Sequence, residues 1–308
     1  MTEPTLHHVQ CSDSAEGHRM AWWQWGDAAA PHLIVCAHGL SRQGRDFDVL
    51  ARALLKRAAE MGEPVRVVCP DVVGRGESDW LKDPMGYQFT TYVGDMLAML
   101  TRLHQSAPLK TLDWVGTSMG GIIGMSLAGM PSLPLPVPVR RLVLNDVGPS
   151  IEWSALERIG QYLGKSGTFA TVEQGAAAMR AISASFGPHT DEQWLALSRP
   201  MFKPLPEGGF RLHYDPAIAV PYGHLTREAS IQGEAAMWQI YGQITADTLV
   251  LRGAVSDLLS PATAQAMAEQ GPRARVIEFA GIGHAPTLVA EDQVRTVLDF
   301  LLGHPNAS

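Results

Sequence analysis

The chain has 308 residues, of which 46% are hydrophobic and 18% charged, with a formal net charge of −7. That length holds one large α/β domain with an inserted subdomain, or two ordinary domains, around a sizeable core. The negative balance argues against non-specific nucleic-acid binding and against attraction to anionic membranes, and no apolar run is long enough to cross a bilayer.

Three cysteines, Cys11, Cys36 and Cys69, are an odd number and form no CxxC; two of them sit in apolar strand-like runs. Such cysteines behave as small buried hydrophobes in a reducing compartment. The N-terminus, MTEPTLHHVQ, lacks the basic-then-apolar order of a signal peptide, so the expected location is cytoplasmic. None of the 11 histidines falls in a HExxH or other metal-ligand spacing, and no metal or cofactor is expected.

In chain order, Leu6 to Cys11 and His18 to Trp25 read as two strands joined by a polar turn. The tryptophans at 22, 23 and 25 read as sheet packing. His32 to Ala37 is a continuous apolar run, the pattern of a strand buried on both faces, and it runs into His38-Gly39-Leu40. Arg45 to Glu60 repeats apolar residues at helical spacing. Val65 to Cys69 is another buried strand, followed by the glycine turn Asp71-Val72-Val73-Gly74-Arg75-Gly76-Glu77-Ser78. That turn lacks the third glycine of a dinucleotide fingerprint, and Asp71 reads as the carboxylate that holds it. Thr91 to His104 reads as a helix.

Thr111 to Gly129, TLDWVGTSMGGIIGMSLAG, organises the rest. A short strand stops at Gly116, Ser118 sits between glycines, and a helix of small and apolar residues follows. Strand, G-x-S-x-G and helix in that order make a nucleophile elbow. Its turn is tight enough to strain the serine backbone and to forbid side chains at the flanking glycines. The serine hydroxyl is left beside helix N-terminal N–H groups.

A proline-rich link from Met130 to Pro138 leads to the strand Arg141 to Asn145 and to Asp146. From 150 to 244 strand-like runs vanish, and helical segments such as Trp153 to Leu163 alternate with proline- and glycine-broken stretches. The core resumes with the strand Thr248 to Arg252, a helix from Pro261 to Glu269, the strand Arg275 to Phe279 and a last helix from Leu288 to Leu302, before a loose tail GHPNAS. Alternating strands and helices imply a mostly parallel sheet with helices on both faces, whose ligands bind at the carboxyl ends of the strands.

A serine nucleophile needs a base, and the base needs an acid to hold its tautomer. Past Ser118, two strand ends carry the right groups: Gly253-Ala254-Val255-Ser256-Asp257 and Ala280-Gly281-Ile282-Gly283-His284. Asp146 also follows a core strand and is the rival acid. With HG at His38-Gly39, DVVGRGES, GTSMGG, GAVSD and GIGH, the chain resembles capped α/β-hydrolase-fold serine esterases, similar to bacterial carboxylesterases, enol-lactonases and C–C bond hydrolases. The resemblance runs from about Leu6 to Leu302.

It implies an α/β-hydrolase fold: an eight-stranded, mostly parallel sheet with a helical cap inserted after the sixth strand. The core would span 1–149 and 245–308 and the cap 150–244. It implies Ser118 as nucleophile, His284 as base and Asp257 as acid, in preference to Asp146. The backbone N–H groups of Leu40 and Met119 would form the oxyanion hole. His38 reads first as a histidine that orders its loop; with Trp153, Tyr222 and Trp238 it is also a candidate to line the substrate pocket. The expected substrate is a small to medium, partly apolar carboxylic ester. The protein would be a monomer or homodimer, with no nucleic-acid or membrane partner. Serine at the elbow disfavours the haloalkane dehalogenases and epoxide hydrolases of this fold, which need aspartate there. C–C bond cleavage, enol-lactone opening, perhydrolysis and ligand binding without turnover stay open.

Overall fold

The structure, a computed structural model, describes residues 3–13, 15–165 and 167–303. His304 and the rest of the expected tail, residues 304–308, lie outside the described residues. Six strands lead the chain: β1 (Thr5–Cys11), β2 (His18–Gly26), β3 (His32–Ala37), β4 (Val65–Asp71), β5 (Thr111–Thr117) and β6 (Val139–Asn145). Between them lie α1 (Asp48–Met61), α2 (Phe89–Ser106) and α3 (Met119–Gly129). The chain then makes α4 (Trp153–Tyr162), β7 (Thr168–Phe169), α5 (Val172–Ile182), α6 (Asp191–Ser198), β8 (Phe202–Pro204), β9 (Phe210–Leu212), α7 (Ala219–Gly223) and α8 (Arg227–Gly242). It closes with β10 (Asp247–Gly253), α9 (Pro261–Glu269), β11 (Arg275–Phe279) and α10 (Glu291–Leu302).

The eight core strands form one sheet in the order β1-β2-β4-β3-β5-β6-β10-β11. β2 pairs antiparallel with β1 and β4, and the remaining pairs are parallel. Period-two geometry sends alternate side chains to opposite faces. Leu33, Val35 and Ala37 of β3 join Leu112 and Trp114 of β5 in a core beneath α2 and α3. Ile34 and Cys36 join Val115, Val143 and Leu249 beneath α1 and α10. Because both faces are covered, every residue of β3 and β4 is buried, which explains their unbroken apolar runs. All three cysteines are free and buried.

The segment between β6 and β10 departs from the sequence expectation. Strands do not vanish there: β7, β9 and β8 form a small antiparallel sheet. β8 lies within RPMFKPLPEGGF, a stretch that reads as broken by proline and glycine, and β9 starts at its last residue. Gly208 and Gly209, both at positive φ, turn the chain between them, so the glycines that hide the strands from a propensity reading make their hairpin possible. The second half of α8 packs on the core rather than standing apart from it. Ile240 lies against Gly129 of α3, and the buried Tyr241 donates from its hydroxyl to Met267 O at 2.8 Å.

Candidate active site

Ser118 lies between the end of β5 and the first residue of α3, at φ +51° and ψ −116°. A non-glycine residue adopts that conformation only when its surroundings impose it. Here three contacts do so. Ser118 N–H donates to Asn145 O at 3.0 Å, Gly120 N–H donates to His38 O at 3.1 Å, and Trp114 Nε1 donates to Gly120 O at 2.9 Å. A Cβ on Gly120 would fall on the Ala37 carbonyl, so glycine is what lets α3 sit this close to β3. The elbow is thereby locked to both neighbouring strands.

His284, in the loop after β11, points Nε2 at Ser118 Oγ, 3.0 Å away. Its Nδ1 is 2.7 Å from Asp146 Oδ2. Since a carboxylate can only accept, Nδ1 carries the proton and Nε2 is the acceptor for the serine hydroxyl.

Asp257 does not reach His284. Its side chain is 48% exposed and forms a bidentate pair with Arg158, at 2.6 and 2.9 Å. The reason lies in the turn after β10. Ser256 N–H bonds back to Gly253 O at 2.9 Å, which carries Asp257 outward and turns Ser256 Oγ inward to donate to Asp146 Oδ2 at 2.6 Å. Asp146, the rival acid in the sequence, follows β6, which lies between β5 and β10. Its own N–H donates to Leu251 O at 2.7 Å, and its Oδ1 accepts from Gly253 N–H at 2.8 Å. Its side chain is fully buried and its φ is +56°. The acid of the hydrogen-bonded chain is therefore Asp146.

The sequence reading singled out neither Asn145 nor Ser256. Asn145 Nδ2 ties Thr117 Oγ1, at 2.9 Å, to Pro286 O, at 2.8 Å, and so bridges the elbow to the histidine loop. The signal available was a polar pair, Asn145-Asp146, closing an apolar strand.

Leu40 and Met119 flank the serine. Met119 is the first residue of α3, so its N–H precedes the intrahelical ladder. A Cβ added at Gly39 would lie 3.7 Å from Ser118 Cβ, which puts the Leu40 loop beside the nucleophile. That loop is pinned by His38. Its Nδ1–H donates to Gly39 O at 2.7 Å, and its Nε2 accepts Val72 N–H at 2.9 Å. His38 has 0% exposure, and burial pushes its imidazole down to about 3. With both nitrogens engaged it serves as the histidine that orders its loop, and it also borders the small cavity next to Thr117.

Asp71 accepts from Gly44 N–H at 2.6 Å, Glu77 N–H at 2.9 Å and Trp23 Nε1–H at 3.2 Å, holding the glycine turn. Burial raises its carboxyl to about 6.

The aromatic candidates of the inserted segment are engaged elsewhere. Trp153 and Tyr222 line a cavity of about 200 Å³ with Leu156, Leu163 and Leu225, and none of Ser118, His284 and Asp146 lines it. Tyr222 hydroxyl donates to Leu156 O at 2.7 Å, and Trp238 Nε1 donates to Ser150 Oγ at 2.8 Å. Next to Thr117 and Ala285, the neighbours of Ser118 and His284, is a smaller cavity of about 40 Å³, bordered also by His38, Arg42, Asp46 and Phe186; it too is lined by none of Ser118, His284 and Asp146.

Among the described residues, Cys11, His18 and Asp95 form a buried cluster of metal-ligand type. It is engaged in hydrogen bonds: His18 Nε2 is 2.9 Å from Asp95 and Nδ1 is 3.2 Å from Asp13.

Comparison with known proteins agrees with this architecture. The chain is 48% identical over 305 residues to the 3-hydroxybutyrate-oligomer hydrolase of Cupriavidus necator, covering 97% of this chain and 98% of that one. Among solved structures, an α/β hydrolase from Novosphingobium aromaticivorans superposes with a TM-score of 0.77 at 31% identity, covering 98% and 100% of the two chains. A Rickettsia typhi structure superposes at 0.81 with 27% identity, covering 97% and 99%. No helix among the described residues is long and apolar enough to cross a membrane. The model of the alpha/beta hydrolase family matches residues 34–297, and the chain belongs to that family.

Proposed function

We propose that the protein is a serine hydrolase that cleaves carboxylic esters through an acyl-enzyme on Ser118. The observation that carries the reading is the unbroken chain from Ser118 Oγ through His284 to Asp146, at 3.0 and 2.7 Å. His284 Nε2 takes the hydroxyl proton as Oγ attacks the carbonyl carbon. Asp146 holds the imidazole in the tautomer that can do so and stabilises the imidazolium. The N–H groups of Leu40 and Met119 receive the oxyanion. Collapse expels the alcohol, which takes the proton from His284, and a water activated by the same nitrogen releases the acid.

Similarity to the Cupriavidus necator hydrolase favours short oligomers of 3-hydroxybutyrate as substrate. The segment from 150 to 244 serves as a cap, between core parts 1–149 and 245–308. The site works in the cytoplasm, a reading supported by three free, buried cysteines.

The test is hydrolysis of the dimer and trimer of 3-hydroxybutyrate and of p-nitrophenyl esters of rising acyl length, by wild type and Ser118→Ala. The substitution is expected to remove turnover by about 10⁴-fold or more, leaving only what the oxyanion donors supply. Wild-type inactivity on every ester, or turnover undiminished in Ser118→Ala, overturns the reading.

A further inference from the structure

Arg75, in the glycine turn after β4, is 0% exposed. Among the described residues no carboxylate pairs with it; its partners are neutral. Nε donates to Leu40 O at 2.8 Å, and Nη1 donates to Val73 O at 2.7 Å and Tyr92 Oη at 3.2 Å. Nη2 reaches Met119 Sδ at 3.7 Å. The rings of Tyr87 and Tyr92 lie 5.8 and 5.1 Å from the guanidinium carbon. One buried cation thus touches both residues whose N–H groups flank Ser118.

Burying a charge without a counter-charge opposes folding. Its retention here has a reason that the geometry supplies. The two peptides on either side of Leu40 are both clamped. Gly39 O, in the plane of the Leu40 N–H, takes hydrogen bonds from His38 Nδ1 and Arg42 N, and Leu40 O takes one from Arg75. The positive charge thus lies next to the two residues whose N–H groups would meet a substrate oxygen as it becomes negative. Fixed dipoles and charges of this kind act most strongly where water is excluded.

We infer that Arg75 is a positioning residue for the oxyanion hole, which orients the Leu40 and Met119 donors and places a buried positive charge beside them. The inference rests on the serine-hydrolase reading above. It also predicts a link to the inserted segment, because Arg75 forms a β-bridge with Tyr214 and the next residue, Gly76, donates its N–H to His213 O at 2.9 Å.

The experiment compares wild type, Arg75→Met, Arg75→Lys and Tyr92→Phe. Each is checked for folding by thermal melting, then measured for kcat and KM on p-nitrophenyl butyrate and for inhibition by a trifluoromethyl ketone, whose hemiketal oxyanion occupies the hole. Arg75→Met is expected to lower kcat by about 10- to 100-fold, less than loss of a direct donor, with KM little changed. The ketone's inhibition constant should rise by a similar factor, and Arg75→Lys should recover part of both. A folded Arg75→Met with kcat and ketone affinity within twofold of wild type overturns the inference. Should Arg75→Met fail to fold, Arg75→Lys and Tyr92→Phe decide: a drop in kcat with matching loss of ketone affinity supports it, and wild-type values in both refute it. Wild-type inactivity would instead remove the serine-hydrolase reading, and this inference with it.

Discussion

Exchanging aspartate for asparagine at two positions separates the two candidate acids. Asp146 accepts three hydrogen bonds, from Gly253 N–H, Ser256 Oγ–H and His284 Nδ1–H. An asparagine there can offer only one carbonyl oxygen. The Gly253 N–H is backbone and cannot be reoriented, so the oxygen stays with it and the amide NH₂ faces His284. The imidazole must then present a lone pair at Nδ1, which moves its proton to Nε2, the nitrogen that has to receive the proton of Ser118. A base in the wrong tautomer costs about 10⁴-fold in kcat, equivalent to about 5.4 kcal/mol of barrier. Asp257 is a different matter. Its side chain and that of Arg158 are 48% and 41% exposed, and such a surface pair contributes less than about 1 kcal/mol to stability. Asp257→Asn is therefore expected to leave kcat within about twofold of wild type. The assay is steady-state hydrolysis of p-nitrophenyl butyrate by both variants, with melting temperatures to show that each is folded. Full activity in a folded Asp146→Asn, or near-complete loss in Asp257→Asn, would refute the assignment.

Two further outcomes follow from packing and from burial. Gly120→Ala drives a methyl group into the Ala37 carbonyl in a region with no slack, and is expected to cost about 1–3 kcal/mol of stability, read from urea denaturation; a wild-type midpoint would show that α3 can shift away from β3. His38, held neutral by burial at about 3, leaves the unfolded chain as the form that binds the extra proton between that value and about 6.5. Its contribution to stability is present above about 6.5 and is lost as pH falls, by up to about 1.4 kcal/mol per pH unit. Asp71, raised to about 6, acts in the opposite sense between about 4 and 6, so wild type alone is a poor witness. The stability gap between wild type and His38→Asn should widen from pH 4.5 to 6.5 and stay level above 7; a constant gap would contradict the assignment of His38 as a neutral, doubly bonded loop anchor.

Much of this protein is written locally. The buried runs of β3 and β4 announce strands covered on both faces, because alternate residues have two apolar layers to enter. Ser118 is legible because a strand, a pair of flanking glycines and a helix leave one geometry for the turn between them. His284 is legible because a histidine after a glycine loop, between the last strand and the last helix, has the right place in chain order. The short strands β8 and β9 are not legible, since their pairing depends on a hairpin whose proline and glycine content argues against strands residue by residue.

The acid is where local information ends. Asp146 and Asp257 each follow the carboxyl end of a core strand, and sequence order admits both. What separates them is lateral: β6 lies beside β5 in the sheet, so Asp146 emerges next to the elbow. The turn after β10 spends its inward position on Ser256, leaving Asp257 to Arg158 and the solvent. Likewise DVVGRGES reads as a glycine turn held by Asp71, while the placement of Arg75 between Leu40 and Met119 exists only after β3, β4 and α3 have packed. The sequence by itself determined the sheet and the placing of Ser118 at the elbow and His284 in the loop after the last strand, because those follow from periodicity and turn chemistry along one stretch of chain. Tertiary structure alone decided that Asp146 rather than Asp257 meets His284, that Arg75 meets Leu40 and Met119, and that Trp153, Tyr222 and Trp238 are engaged away from the serine, because each depends on residues far apart in the chain meeting at one point.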